Sequence, residues 1–267
     1  MAFERPSGRG STTRVPRALT RPVPNSLASC ELTHLARVPI DLALARKQHA
    51  AYEHALTQMG CLVESVSAAM DMPDSVFIED TAVVFDEIAV IARSGAAPRR
   101  GETDAVAAAL GRYRRLAAIC APATLDGGDV LRVDRDVYVG ISGRTNAAAA
   151  TQLTELLAPY RYRVHTVQTR GCLHLKSAAT CAGDDLIVYN PEWVDPRHFV
   201  GLKRMEIDPS EPAAANVVRI GDGLLCSAAA PKTRARLENR GLHVRVVDVS
   251  ELAKAEGALT CCSLILA

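Results

Sequence analysis

Aromatic side chains are scarce in this chain, at 4% of residues with a single tryptophan. A core built from it must rest on Ala, Val, Leu and Ile, each contributing modest apolar area. An excess of either charge is also missing: 31 Lys and Arg face 30 Asp and Glu, a net charge of +1 with a pI of about 7.6. The two signs interleave without long blocks, which argues against nucleic acid or another polyanion as a partner. No apolar run approaches the roughly 20 residues needed to span a bilayer, so no membrane partner is implied. The eight cysteines, at 30, 61, 120, 172, 181, 226, 261 and 262, include no Cys-x-x-Cys pair. Several sit in apolar, strand-like surroundings where Cys packs as a small hydrophobe, and this usage implies a reducing cytoplasm.

What is present suffices for a large core. Of 267 residues 48% are apolar, which suits one large domain or two. The first 22 residues carry five arginines and one acid. They resemble a transit peptide faintly but show no apolar helical stripe, so residues 1–13 are expected to form a flexible arm ahead of a single domain over 14–267.

Four hairpin signals recur along the chain: Thr81–Arg93, Asp129–Ser142, Ala178–Tyr189 and Asn216–Ala228. Each is a β-branched-rich run broken by a short polar or Gly turn. A helical segment follows each. Thr103–Tyr113 keeps Val106, Ala109, Leu110 and Tyr113 on one face behind Thr103 as N-cap, and Thr145–Tyr160 does the same with Leu153, Leu156, Leu157 and Tyr160. Asp195–Gly201 and Pro231–Arg240 are shorter and weaker. One more strand closes each unit: Leu116–Ala121, Tyr162–Gln168, Lys203–Asp208 and Leu242–Val249.

A fifth unit appears if the ends join. Asp41–Met59 reads as a helix with Leu42, Ala45, Tyr52, Leu56 and Met59 on one face and Gly60 after it, and strand Cys61–Ser67 follows. Its hairpin would combine Arg14–Leu19 with Cys261–Leu266. The lone strands step by about 55, 46, 41 and 39 residues, a spacing that signals a repeat architecture. From the pattern alone, a ring of five ββαβ units competes evenly with an ordinary α/β sheet.

Asp80, Asp126, His174 and Cys261 each stand just before a hairpin, so a ring would bring them to one axis. Taken singly, each has a plain reading. Glu79-Asp80 is a solvated turn in most sequences, yet here it leads into a wholly apolar strand, where buried carboxylates need a cation such as a guanidinium. The tandem glycines after Asp126 permit a sharp turn or a close approach of the backbone. His174, between apolar neighbours, reads alone as a core histidine, and Cys261-Cys262 reads as packing with one thiol on each side of a strand.

Taken together, the segments Asp74–Asp80 (DSVFIED), Thr124–Val130 (TLDGGDV), Arg144-Thr145-Asn146, Leu173–Ser177 (LHLKS) and Leu259–Ser263 (LTCCS) resemble those of the dimethylarginine dimethylaminohydrolases, members of the guanidine-modifying (pentein) superfamily. The resemblance runs in order from about Arg17 to the C-terminus. It implies an α/β fold, a five-bladed ββαβ propeller closed through the N- and C-terminal segments. It also implies Cys261 as nucleophile, by a Cys-x-Ser pattern, and His174 as proton donor and later base. Asp126 matches an acid near the histidine and the guanidinium. Asp74, Glu79 and Asp80 match positions that hold the guanidinium or support that contact. Arg99 and Arg144 match arginines that grip a substrate carboxylate, and Leu32 and Ala255 match positions whose backbone holds the amino-acid end.

The activity implied is hydrolysis of methylated arginine to citrulline and an alkylamine through a thiouronium on sulfur, with no metal or organic cofactor. The partner is a small guanidino amino acid, and the protein is a monomer or homodimer. Two departures, Gly95-Ala96-Ala97-Pro98 before Arg99 and Ala258 near the nucleophile, leave open whether arginine is methylated or plain. A deiminase or dihydrolase acting on arginine, an amidinotransferase and a non-catalytic five-fold module are the alternatives.

Overall fold

The computed structural model describes residues 15–266, so the expected arm over 1–13 lies outside the described residues, as does Arg14. The chain enters through β1 (Arg17–Thr20), passes along helix α1 (Leu42–Gln58) and returns as β2 (Leu62–Ser65), parallel to β1. The next unit is the hairpin β3 (Ala82–Val84) and β4 (Ile88–Ile91), helix α2 (Thr103–Leu110) and parallel β5 (Arg115–Ala118). The third comprises β6 (Val130–Val133), β7 (Asp136–Ile141), α3 (Ala147–Leu157) and β8 (Arg163–Gln168). In the fourth, a single turn, α4 (Leu175–Ala178), leads into β9 (Ala179–Cys181), β10 (Leu186–Tyr189) and β11 (Lys203–Glu206). The fifth has β12 (Val218–Ile220), β13 (Gly223–Ser227), α5 (Pro231–Glu238) and β14 (His243–Val247).

A one-turn helix, α6 (Ser250–Ala253), then precedes β15 (Leu264–Leu266), which pairs antiparallel with β1, Ala18 opposite Ile265. Five separate three-stranded sheets result. The fold is the closed five-bladed ββαβ propeller, and the single α/β sheet is excluded.

The reason the ring closes is legible in the alternation of each middle strand. On β7, Val137 and Val139 pack toward the preceding blade while Tyr138 packs toward the next. On β10, Ile187 and Tyr189 face one neighbour and Val188 the other, and β13 splits Leu225 from Leu224 and Cys226. Successive side chains point to opposite faces, so a strand apolar on both faces glues two blades. Each of the five clusters spans one pair of neighbouring blades, the last joining β12 and β13 to β1 and α1. Small aliphatic side chains suit these narrow wedges, which is how the fold manages with so few aromatics.

Local expectations shift in three places. Thr103 does not cap α2: a 3-10 helix, Ala97–Glu102, runs straight into it, and Thr103 Oγ1 donates back to Arg100 O at 3.1 Å. The cap of α3 is Asn146, whose side chain accepts from Ala149 N at 3.1 Å. The crossover expected over 195–201 forms only a 3-10 turn, Pro196–His198, because Gly201 at φ +78° ends it within a few residues. Among the described residues no helix is long and apolar enough to cross a membrane.

Candidate active site

A short turn precedes each hairpin on the same side of the ring. Ile78–Thr81 precedes β3, Gly127–Asp129 precedes β6, α4 precedes β9, and Thr260–Cys262 precedes β15. Asn216 follows a turn over 212–215 ahead of β12. Equivalent position in each blade carries these turns to the axis, where Ile78–Thr81 packs against both Gly127–Asp129 and Thr260–Cys262. The two glycines allow this approach. A Cβ on Gly127 would meet Glu79 O at 2.0 Å, and one on Gly128 would meet His174 Nδ1 at 2.6 Å and Asp80 Oδ1 at 2.8 Å. The freed Gly128 N–H donates to Asp80 Oδ1 at 3.0 Å.

Asp80, Asp126 and His174 thus converge. His174 Nε2 lies 3.3 Å from Asp126 Oδ2, and its Nδ1 lies 3.7 Å from Asp80 Oδ1. All three are buried. Burial by itself would lower the His174 pKa, but Asp80, Asp129 and Asp126 outweigh it and raise the imidazole to about 9. Burial would likewise raise Asp80, yet His174, Arg99 and the Gly128 N–H hold it at about 2. At neutral pH the pair is an imidazolium beside a carboxylate.

Arg99 is spent inside this network. Nη1 donates to Asp80 Oδ2 at 2.6 Å, Nε and Nη2 donate to Glu102 at 3.1 and 3.0 Å, and Nη2 also reaches Phe77 O. Arg144 is differently placed: it borders an open cleft of about 540 Å³, shared with Leu32, Thr33, Gly95, Cys172 and Leu173. Its Nη2 donates to Thr33 Oγ1 at 3.2 Å, and Nη1 is 3.8 Å from Asp126 Oδ2. Asp74 accepts from Glu31 N at 3.1 Å, which ties it to the loop bearing Leu32 rather than to Asp80. Ala255 is buried, its N–H donating to Leu252 O at 3.0 Å.

Cys261 lies on the 3-10 turn, so strand alternation does not separate it from Cys262; the strand starts only at Leu264. Their surroundings do. Burial and Glu79 push both thiols up, and Cys261 in addition feels Asp80, which is absent from the surroundings that shift Cys262. Cys262 is fully buried, its Sγ donating to Ala258 O at 3.4 Å. Without a bound cation Cys261 rests as a thiol.

Four residues absent from the expected set complete the site. Asp129 accepts from Leu175 N at 2.9 Å and Ser142 Oγ at 2.6 Å, fixing the turn after His174. Glu79 accepts from Lys176 Nζ and from Thr260 Oγ1, both at 2.6 Å, and Asn216 Nδ2 donates to Thr260 Oγ1 and Lys176 O. With both oxygens engaged by Lys176 and Thr260, Glu79 braces the turns at the edge of the axial cavity. This second cavity, of about 250 Å³, lies behind the belt and is also lined by Val83, Val130, Val217 and Leu264. The only signals for these residues were the Gly-Gly-Asp triplet and the lysine after His174-Leu175.

Asp80, Asp126 and His174 each offer one atom within 4.8 Å of the others, a possible set of metal ligands. Arg99, 2.6 Å from Asp80, already takes the place of a cation's charge there, and an imidazolium has no lone pair to give. The arrangement suits a planar, hydrogen-bonding cation better.

Comparison with known proteins agrees with this geometry. A family model described as N,N dimethylarginine dimethylhydrolase, eukaryotic, matches residues 36–202. The N(G),N(G)-dimethylarginine dimethylaminohydrolase of Streptomyces coelicolor is 40% identical over 252 residues, 94% of this chain and 96% of the relative. The protein of the same name from Pseudomonas aeruginosa is 32% identical over 226 residues, 84% of this chain and 89% of the relative. A solved structure of the Pseudomonas enzyme, a cysteine-to-serine mutant in complex with citrulline, superposes with a TM-score of 0.87 at 30% identity, covering 94% of this chain and 98% of that one. The N-terminal domain of a cyanobacterial arginine dihydrolase shares the fold, with a TM-score of 0.86 at 19% identity over 94% of this chain and 97% of that one. This chain belongs to the dimethylarginine dimethylaminohydrolase family.

Proposed function

We propose that this protein hydrolyses a guanidinium C–N bond of methylated arginine, giving citrulline and an alkylamine. The observation that carries the reading is the buried trio in which Asp80 stays ionised and His174 stays protonated, beside a thiol within reach of the same charges. Asp80 and Asp126 would fix the guanidinium plane by charge-assisted hydrogen bonds. Arg144, on the open cleft, would take the substrate carboxylate, and Asp74 with the backbone at Leu32 and Ala255 would take its ammonium. Arg99 would hold Asp80 and add positive charge behind it.

The chemistry follows from the resting charges. A guanidinium carbon is a poor electrophile, and a buried thiol a poor nucleophile. The incoming cation favours the Cys261 thiolate, whose proton passes to solvent as the substrate binds. Sulfur attacks the guanidinium carbon and a tetrahedral adduct forms. His174 donates its proton to the substituted nitrogen, the C–N bond breaks, and the amine leaves with an S-linked thiouronium remaining. His174, now neutral, accepts a proton from water, whose oxygen adds to the same carbon. As the adduct collapses its O–H proton passes to the departing sulfur, the C–S bond breaks, and citrulline and the Cys261 thiol are released.

The five blades would act as one catalytic domain over residues 14–267, in the cytoplasm, where eight free cysteines are in keeping. It would work as a monomer or homodimer on a small molecule, and the balanced charge argues against nucleic acid as a partner. The test is to incubate the protein with dimethylarginine, monomethylarginine, arginine and agmatine and to quantify citrulline, alkylamine and ammonia. Alkylamine with citrulline from the methylated substrates is expected, and agmatine, lacking a carboxylate for Arg144, should react far more slowly. Ammonia from plain arginine at the higher kcat/KM would instead make the protein a dihydrolase or deiminase.

A further inference from the structure

The catalytic candidates are enclosed. His174 is 2% exposed, Asp80 3%, Asp126 0% and Cys261 8%. Entry requires part of the wall to move, and the exposed loop 31–39, whose residues 31–34 border the cleft, is the least packed part of it. One side chain grips the middle of that loop through its backbone. The Glu256 carboxylate accepts from three consecutive backbone N–H groups: Thr33 at 2.9 and 3.1 Å, His34 at 2.5 Å and Leu35 at 2.6 Å.

Glu256 follows Ala255 directly and sits five residues before Cys261. Its backbone is left-handed, φ +56°, a conformation that Gly or Asn adopts at lower cost. Local conformation therefore does not account for a glutamate here, and the carboxylate contacts do. The same segment fastens the far end of the loop, where Asp41 N donates to Glu251 at 2.9 Å and Lys254 Nζ donates to Pro39 O at 3.2 Å. At the near end, Glu31 N is held by Asp74.

What the clasp places is functional. Thr33, gripped through its N–H by Glu256, presents its hydroxyl to Arg144. We propose that Glu256 is a positioning residue: it clamps residues 33–35 against the cleft and so presents Leu32, Thr33 and Arg144 to the amino-acid end of the substrate. The proposal rests on the reading of the site as one for a guanidino amino acid. Glu256 itself touches no reacting atom, so its effect falls on binding and not on bond breaking.

The test combines amide exchange and kinetics on the full chain with Glu256→Gln. In the substrate-free protein, exchange at Thr33, His34 and Leu35 should speed up at least about tenfold, while amides of the blades stay as before. With dimethylarginine, KM should rise by about tenfold or more, as loss of charge-assisted hydrogen bonds implies, with kcat kept within about threefold. Glu256→Asp, charged but shorter, should fall between the two. If Glu256→Gln fails to fold, Glu256→Asn, which tolerates the left-handed backbone, is measured in the same way. Unchanged exchange at the three amides overturns the clasp, and faster exchange with an unchanged KM overturns its role in positioning. Because exchange needs no substrate, an enzyme that ignored dimethylarginine altogether would contradict the assigned reaction and leave the clasp standing on its own result.

Discussion

Asn216 holds Thr260 at two points: its Nδ2 donates to Thr260 Oγ1 at 3.0 Å, and its Oδ1 accepts from Thr260 N at 3.0 Å. The residue before Cys261 is thereby fixed in both backbone and side chain by the start of another blade. The Thr260 hydroxyl donates to Glu79, Glu79 also accepts from Lys176 Nζ, and the Lys176 carbonyl accepts from Asn216 Nδ2. Four blade entrances are tied into one loop of hydrogen bonds.

Breaking that loop at Lys176 should cost stability. Burial raises the Glu79 pKa, and Lys176 is the main group working against it. Lys176→Met leaves a carboxyl buried without its ion partner, a change worth about 3–5 kcal/mol when a buried pair loses one member. The urea midpoint should drop accordingly. Glu79→Gln, which keeps hydrogen bonds to both neighbours, should lose much less, and equal losses in the two variants would count against the ion pair.

Gly128→Ala tests the close approach at the axis. The new methyl group collides with His174 Nδ1 and Asp80 Oδ1, so the two groups must part. A fall in kcat of about 100-fold or more is expected, of the order seen when acid–base geometry is lost. Normal turnover would mean that His174 and Asp80 do not act at this spacing.

Cys261→Ser should abolish citrulline formation, and Cys262→Ser should keep most of it. Both thiols feel Glu79, but only Cys261 also lies in the field of Asp80, and Cys262 is the more deeply buried of the two. The opposite pattern would assign the chemistry to the other sulfur.

His174 should impose an alkaline limb. Its pKa rises from 6.5 to about 9, so the proton donor is lost as pH climbs through about 9 and kcat/KM should fall there. The sign for stability is the same: a raised pKa stabilises the fold fully below the ordinary value of 6.5 and ceases to do so above about 9. His174→Gln should cut kcat by about 10²–10⁴-fold, the usual worth of acid–base catalysis, with little change in KM. A well-folded variant with near-normal kcat would reduce His174 to a packed core histidine.

The ring could be read from the chain because each blade repeats one local code, a two-faced apolar hairpin followed by a helix and a strand. The code weakens where helices shorten: at 195–201 proline and glycine leave room for a single 3-10 turn. Asp80, Asp126 and His174 were legible as oddities at hairpin entrances. Asn216, Thr260 and Glu256 were not, because nothing within ten residues of them hints at the partner that gives each its role. Strand alternation, expected to put one thiol on each side, does not apply, since Cys261 and Cys262 lie on a turn. What distinguishes them is Asp80, far away in the chain.

The pairing of β15 with β1 gives the assembly a timetable. β1 is the earliest strand to be synthesised among those described and β15 the latest, and the turn carrying Cys261 is continuous with β15. Joining distant segments is the slow, entropically costly step of such a topology. The turn bearing Cys261 is thus delivered to His174 and the acids by the same long-range pairing that closes the ring, so a chain in which β15 has not paired with β1 lacks that anchor for its sulfur.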